Sequence, residues 1–193
     1  LMALGIDVDC FPVADVPVAG AHDIIGDRAF DTDPARVAKL ARAAAEGLMD
    51  TGVAAVAKHL PGHGRARVDS HESLPVVESA LADLRASDFV PFRVLSDLPW
   101  AMTAHVLYTA IDDGRPATTS PVVIDRIIRG ELGFRGALVS DDLSMRALSG
   151  SLASGRGRFR AVRSGSPFPG ASATAPYPTT RSWVPAATAD EFA

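Results

Sequence analysis

Short apolar runs along this chain alternate with longer stretches whose apolar residues recur every three or four positions. Residues 5–13 alternate apolar and polar side chains, a strand pattern that runs into Asp15. Asp33-Pro34 then pairs a capping side chain with proline at the first helical position. Val37, Leu40, Ala41, Ala44 and Leu48 follow at helical spacing, and Gly52 stands where a helix ends in a left-handed turn. The run Val53-Ala54-Ala55-Val56-Ala57 is too short for a helix and reads as a buried strand that stops where the charged residues begin. A helical stretch over 79–96 is interrupted by Pro91, and residues 99–104 form a third strand ending in His105. Thr119-Ser120-Pro121 opens another helix with Val123, Ile124, Ile127 and Ile128 on its apolar face. Gly133 and Gly136 bracket the turn into a fourth strand, Ala137-Leu138-Val139, which ends in Ser140-Asp141-Asp142. Repeated βα units imply a parallel sheet.

What ends those strands matters more than the strands themselves. Asp15, Lys58-His59, His105 and Asp141 stand at the four carboxyl ends. A parallel barrel gathers such ends on one face, where active sites are built, and an open doubly wound sheet also brings them together. Four ionisable strand ends predict an enzyme rather than a scaffold.

With 193 residues the chain is short for a closed eight-stranded barrel, which takes ~250. A strand-like pattern begins within a few positions of Leu1, so the start is expected to be a cut and not a natural terminus. No run approaches the ~18 apolar residues of a membrane span, and no basic-then-apolar leader is present. The net charge of −4 hides a split: residues 1–150 carry 14 Lys and Arg against 21 acids, and residues 151–193 carry five Arg against two. The acidic body offers no nucleic-acid footprint. Cys10, the single cysteine, excludes an internal disulfide and is expected in the core.

Two units are therefore expected. Residues 1–150 form a partial catalytic domain. Residues 151–193, rich in Ala, Ser, Arg, Pro, Gly and Thr and without periodicity, form a disordered tail, or one encoded out of frame after Ala153.

The chemistry concentrates in Lys58-His59-Leu60-Pro61-Gly62-His63-Gly64 and Asp69-Ser70-His71. Proline and glycine forbid a helix there and force a loop at the end of a rigid strand, a common mounting for catalytic groups. A carboxylate two residues from an imidazole can orient the ring for proton transfer near neutral pH, or the two can be an incidental pair on a solvated loop. His59, His63 and His71 with Asp69 could alternatively ligate a metal, although the spacing lacks the helical i, i+4 presentation of HExxH sites. Asp141 offers a carboxylate for nucleophilic or electrostatic work, while Asp142 or Ser144 can cap a helix over 143–148. Arg28, in Gly26-Asp27-Arg28, suits a bidentate grip on an oxygen-rich ligand or, more plainly, a surface ion pair. Neither a GxSxG elbow nor a GxxxxGK[ST] loop is present, which lowers the serine-hydrolase and P-loop readings.

As an ordered set these segments resemble the family 3 glycoside hydrolases, in their bacterial β-N-acetylglucosaminidase (β-hexosaminidase) branch. The matching pieces are Ala3-Leu4-Gly5-Ile6-Asp7, Pro12-Val13-Ala14-Asp15-Val16, Ile25-Gly26-Asp27-Arg28-Ala29-Phe30, the Lys58 to Gly64 loop, Asp69-Ser70-His71, Ala104-His105-Val106, Glu131-Leu132-Gly133-Phe134-Arg135-Gly136 and Ser140-Asp141-Asp142-Leu143-Ser144-Met145. The resemblance implies an α/β fold that is part of a (β/α)8 TIM-type barrel, missing N- and C-terminal βα units, and hence poor solubility from raw sheet edges. It implies hydrolysis of terminal β-linked N-acetylglucosamine by a retaining double displacement, without cofactor or metal, in cytoplasmic peptidoglycan (muropeptide) recycling. Asp141 would be the nucleophile and His71, paired with Asp69, the acid/base in place of a carboxylic acid. Arg28, Lys58 and His59 would bind the sugar hydroxyls, with His105 walling the same pocket. A family 3 β-glucosidase, or a catalytically dead sugar-binding fragment, is the alternative. The implied partner is a small carbohydrate, with no nucleic acid and no membrane.

Overall fold

The computed structural model describes residues 1–148; the expectations for residues 151–193 lie outside the described residues. In chain order the elements are β1 (Val8–Asp9), α1 (Pro34–Asp50), β2 (Ala54–Leu60), β3 (Val76–Val77), α2 (Leu81–Ala86), α3 (Phe89–Val94), β4 (Trp100–Thr103), β5 (Leu107–Tyr108), a π-helix (Val123–Glu131) and β6 (Ala137–Ser140). Four strands form one parallel sheet in the order β1-β2-β4-β6. The pairs Val8 with Ala54, Val56 with Trp100, and Trp100 with Ala137 set its register. Parallel neighbours joined in sequence through helices are the arrangement expected of consecutive units of a (β/α)8-type barrel.

The first helix begins as its sequence predicts. The Asp33 carboxylate accepts from the Arg36 N–H at 2.8 Å, Pro34 follows, and Gly52 adopts φ 87° just past the end. Its buried face differs from the expected one. Val37, Ala38, Ala41 and Ala45 point inward, whereas Leu40 is 40% exposed. Small side chains on that face let the helix lie close against β2 and α3.

Other boundaries move for identifiable reasons. The strand expected over 5–13 is regular only at Val8–Asp9 and returns to the sheet at Val13, which bridges Lys58. Phe11 and Pro12 still accept from the N–H groups of Val56 and Lys58, but Pro12 has no N–H to donate. Cys10 lies on this departing segment and is exposed, not in the core. The second strand does not stop at Ala57; it carries Lys58 and His59 within it and ends at Leu60. The break in the 79–96 stretch falls at Ser87-Asp88, between α2 and α3. Pro91 sits in the first turn of α3, where an N–H has no intrahelical partner to lose. In place of the helix expected over 143–148 there is a single 3-10 turn, Arg146–Leu148.

A parallel pair, β3 with β5, was not foreseen; it forms between the segments that follow β2 and β4. Tyr108 of β5 is buried and its hydroxyl donates to the Gly62 carbonyl, tying this ribbon to the loop after β2. The apolar core joins Phe89, Phe92, Leu95 and Leu98 to Ile127, Ile128 and Phe134. Among the described residues no helix is long and apolar enough to cross a membrane.

Candidate active site

The carboxyl ends of the four parallel strands deliver the polar residues. Asp15 lies just beyond Val13, the residue that bridges Lys58, and has no exposed surface. One of its oxygens, Oδ1, accepts from the backbone N–H groups of His59 at 3.2 Å and His63 at 2.6 Å. The other, Oδ2, takes Nδ1–H of the His59 ring at 2.7 Å. Burial works to raise the Asp15 carboxyl, but its contacts with His59 and His63 outweigh it and hold the group below its ordinary range. The His63 ring packs edge-to-face on His59, with centroids 5.6 Å apart, and its Nε2 lies 3.3 Å from the Ser70 hydroxyl. Burial pushes the His63 imidazole down, which keeps it neutral.

Asp69 and His71 do meet. Asp69 Oδ1 accepts from the His71 backbone N–H at 2.8 Å and from ring Nδ1–H at 2.7 Å. The backbone N–H is the main reason the Asp69 carboxyl sits below its ordinary range, so it is ionised and can only accept. The proton between them therefore belongs to Nδ1, which leaves Nε2 of His71 free on a side chain that is 64% exposed.

Asp141 follows β6, and its Oδ2 lies 3.8 Å from Nε2 of His59. Asp142 faces elsewhere: its Oδ1 accepts from the Ser144 N–H at 2.8 Å within a turn, not at the start of the helix it was expected to cap, and its carbonyl accepts from Nε2–H of His105 at 3.0 Å.

One cleft gathers Ile24, Ile25, Arg28, Lys58, His59, His63, Ser70, His71, Asp141 and Met145. Of the residues singled out from the sequence, Arg28, Lys58, His59, His71 and Asp141 line it, with Asp69 directly behind His71. Arg28 is held by the carbonyls of Ile24 and Ile25 in its own turn, and it forms no ion pair with an acid among the described residues. His105, expected as a pocket wall, is not among these lining residues. It is fully buried, with Nδ1 on the Thr118 hydroxyl at 2.7 Å and Nε2 on Asp142, so both ring nitrogens are already engaged. The metal-ligating alternative finds no support, since no three His, Cys, Asp or Glu among the described residues are grouped to hold an ion.

His63, weighed from the sequence only as a metal ligand, also lines the cleft, beside Ile24, Ile25 and Met145, which carry no chemical signal. Asp15 was visible only as one ionisable strand end among four, because its partners are 44 and 48 residues away.

Fold and site together define a parallel α/β barrel-type domain with two carboxylates and paired imidazoles at the strand ends. Residues 1–166 match the Glycosyl hydrolase family 3 N terminal domain, and the chain belongs to that family. It is 49% identical over 149 residues to a β-hexosaminidase of Alkalilimnicola ehrlichii, covering 76% of this chain and 42% of that protein. A β-hexosaminidase of Bordetella avium is 45% identical over 151 residues, covering 77% and 43%. The chain thus spans less than half the length of these relatives. Among solved structures, a family 3 β-N-acetylglucosaminidase from Paenibacillus sp. aligns with a TM-score of 0.77 at 40% identity, covering 81% of this chain and 30% of that one. NagZ from Neisseria gonorrhoeae, in complex with N-trifluoroacetyl-D-glucosamine, aligns with a TM-score of 0.70 at 40% identity, covering 76% and 42%. The described residues are accordingly part of a (β/α)8-type barrel.

Proposed function

We propose that this chain carries the catalytic face of a retaining β-N-acetylhexosaminidase, which releases terminal non-reducing β-linked N-acetylglucosamine. The observation that carries the reading is the Asp69–His71 pair on the same cleft as the Asp141 carboxylate. Retaining glycosidases need one nucleophile and one group that first donates and later accepts a proton. Asp141 attacks the anomeric carbon as Nε2–H of His71 protonates the departing glycosidic oxygen. Asp69 stabilises the imidazolium beforehand and keeps its Nδ1 occupied. A water then enters, gives its proton to His71 Nε2 and displaces Asp141, with net retention at the anomeric carbon. Arg28, Lys58 and His59 bind the sugar hydroxyls around it.

The relatives named β-hexosaminidase, and the neighbour solved with an N-acylglucosamine, support N-acetylglucosaminides as the substrate class. The resemblance to that branch supports muropeptides as the natural substrate, in cytoplasmic peptidoglycan recycling.

The test is turnover of a chromogenic β-N-acetylglucosaminide beside the matching β-glucoside, with identification of the residue labelled by a 5-fluoro-N-acetylglucosaminyl fluoride. Preference for the N-acetyl substrate and a label on Asp141 are expected. Binding of N-acetylglucosamine without turnover, or a label on another carboxylate, overturns the reading.

A further inference from the structure

Asp15 reaches the cleft only through other residues. We propose that it is a positioning residue for the nucleophile: it holds His59 in the tautomer whose Nε2 bears no proton, which keeps the neighbouring Asp141 oxygen free to attack. The inference rests on the reading of Asp141 as nucleophile.

The two oxygens of Asp15 do separate work. Oδ1 ties both sides of the loop after β2 through the N–H groups of His59 and His63. A purely structural role asks for no more than this. Oδ2 is spent wholly on the His59 ring, at 2.7 Å. An ionised carboxylate has no proton to offer, so the proton of the contact lies on Nδ1. The other ring nitrogen, Nε2, lies 3.8 Å from Asp141 Oδ2, too long for a hydrogen bond, which is the separation a bare nitrogen keeps from a carboxylate oxygen. The surroundings do not compete for the ring. His63 stacks on it edge-to-face and is kept neutral by burial, and His105 has both nitrogens engaged elsewhere. Lys58 and Arg28 share the cleft, and neither is hydrogen-bonded to His59 through its side chain.

Asp15→Asn separates the two roles. The two backbone N–H donors hold the amide oxygen in the Oδ1 position, so its NH2 must occupy the Oδ2 position. That group can only donate, and the His59 proton must move to Nε2. There it points at Asp141 and ties up a nucleophilic lone pair. Replacing a carboxylate behind a catalytic imidazole by its amide inverts the tautomer in this way while leaving the geometry in place.

The first measurement needs no variant. Imidazole 15N resonances of the labelled protein at pH 7.5, with His59 assigned by its loss in His59→Gln, are expected to show Nδ1 protonated and Nε2 bare. Protonated Nε2 in the wild-type protein overturns the proposal. In Asp15→Asn the pattern is expected to invert. Covalent labelling of Asp141 by the fluoro-sugar, followed by intact mass, is then expected to slow by about 10²-fold in Asp15→Asn. His59→Gln is expected to slow it as well, and the double variant to be no slower than the slower single. Labelling of either single variant at the wild-type rate, or multiplied losses in the double, overturns the proposal. Absence of label from the wild-type protein removes the nucleophile reading and this inference together. A labelled wild-type protein beside an unaffected Asp15→Asn removes this inference alone. If Asp15→Asn does not fold, the wild-type resonances and His59→Gln labelling decide.

Discussion

Asp69 grips His71 twice through one oxygen, once at the backbone N–H and once at ring Nδ1, so that the pair forms a closed ring of contacts within three residues. The ring cannot turn without breaking the second bond, and its Nε2 is the nitrogen left to exchange protons. Acid catalysis of this kind is worth about 10²–10⁴-fold, and it matters most where the leaving oxygen is a poor one. His71→Ala and Asp69→Ala are therefore expected to cut turnover of an alkyl or disaccharide N-acetylglucosaminide far more than that of a nitrophenyl one. Steady-state kinetics on the two substrate types measure this. Equal losses on both would remove His71 from the proton-transfer role.

His105 is expected to act on the fold more than on the sugar. Its Nε2–H satisfies the Asp142 carbonyl, the residue after Asp141, from a fully buried position. Thr118 retains the Ala104 carbonyl as an alternative partner at 3.0 Å, so removing the ring strands chiefly one acceptor. His105→Leu is expected to cost about 1–3 kcal/mol of stability, the penalty for one unsatisfied buried group. Urea unfolding reads it. The same variant should weaken fluoro-sugar labelling through displacement of Asp141, with binding of N-acetylglucosamine changed little. A fall in binding as large as the fall in labelling would restore His105 as a sugar contact.

Elements with local signals were legible in the sequence, and contacts set by distant partners were not. Asp33-Pro34 and Gly52 bound α1 because capping and left-handed turns depend on residues a few positions apart. The inward face of the same helix departs from its expected residues because alanine carries little periodic signal: Ala38 and Ala45 are buried, while Leu40 is exposed. Strand β2 runs three residues past the expected Ala57, because charge does not terminate a parallel strand at its carboxyl end: Lys58 and His59 lie inside it. The pair Asp69–His71 could be proposed because its members are two residues apart. Asp15 with His59, and His105 with Asp142, needed the fold to bring them together across 44 and 37 residues.

Stability is expected to fall in two stages on acidification. Burial lowers the imidazoles of His63 and His105, whose ordinary value is 6.5. Below that value the unfolded chain binds protons that the fold refuses. Their contribution is thus complete above about pH 6.5 and is lost as the pH falls toward the depressed native values, by at most about 1.4 kcal/mol per pH unit for each ring. Asp15, against whose burial His59 and His63 prevail, adds a second loss that begins below its ordinary 3.8. Urea midpoints at pH 8, 7, 6 and 5 check the first stage, and His63→Phe should reduce its slope. A midpoint that does not change between pH 8 and 5 would contradict the buried, neutral state of both rings.

The approach of the Asp15 segment to the loop after β2 depends on a glycine, and two glycines of opposite kind make the test sharp. A Cβ on Gly64 would overlap the Val16 carbonyl, which is backbone and cannot swing aside; the Gly64 carbonyl in turn accepts from the Val18 N–H at 3.3 Å. Gly133, at φ 75°, needs glycine for its left-handed backbone but has nothing within 4 Å of the Cβ position. Gly133→Ala is therefore expected to cost only the backbone penalty of about 1–2 kcal/mol. Gly64→Ala must push the segment carrying Asp15 away from His59 and His63, at about 3 kcal/mol or more, the upper end of forced overpacking because the atom overlapped is backbone. Thermal unfolding gives the ranking. The 15N resonances of His59 give the cause, since only the Gly64 variant should disturb them. Equal destabilisation by the two substitutions would show that the close approach of these segments is not what positions Asp15.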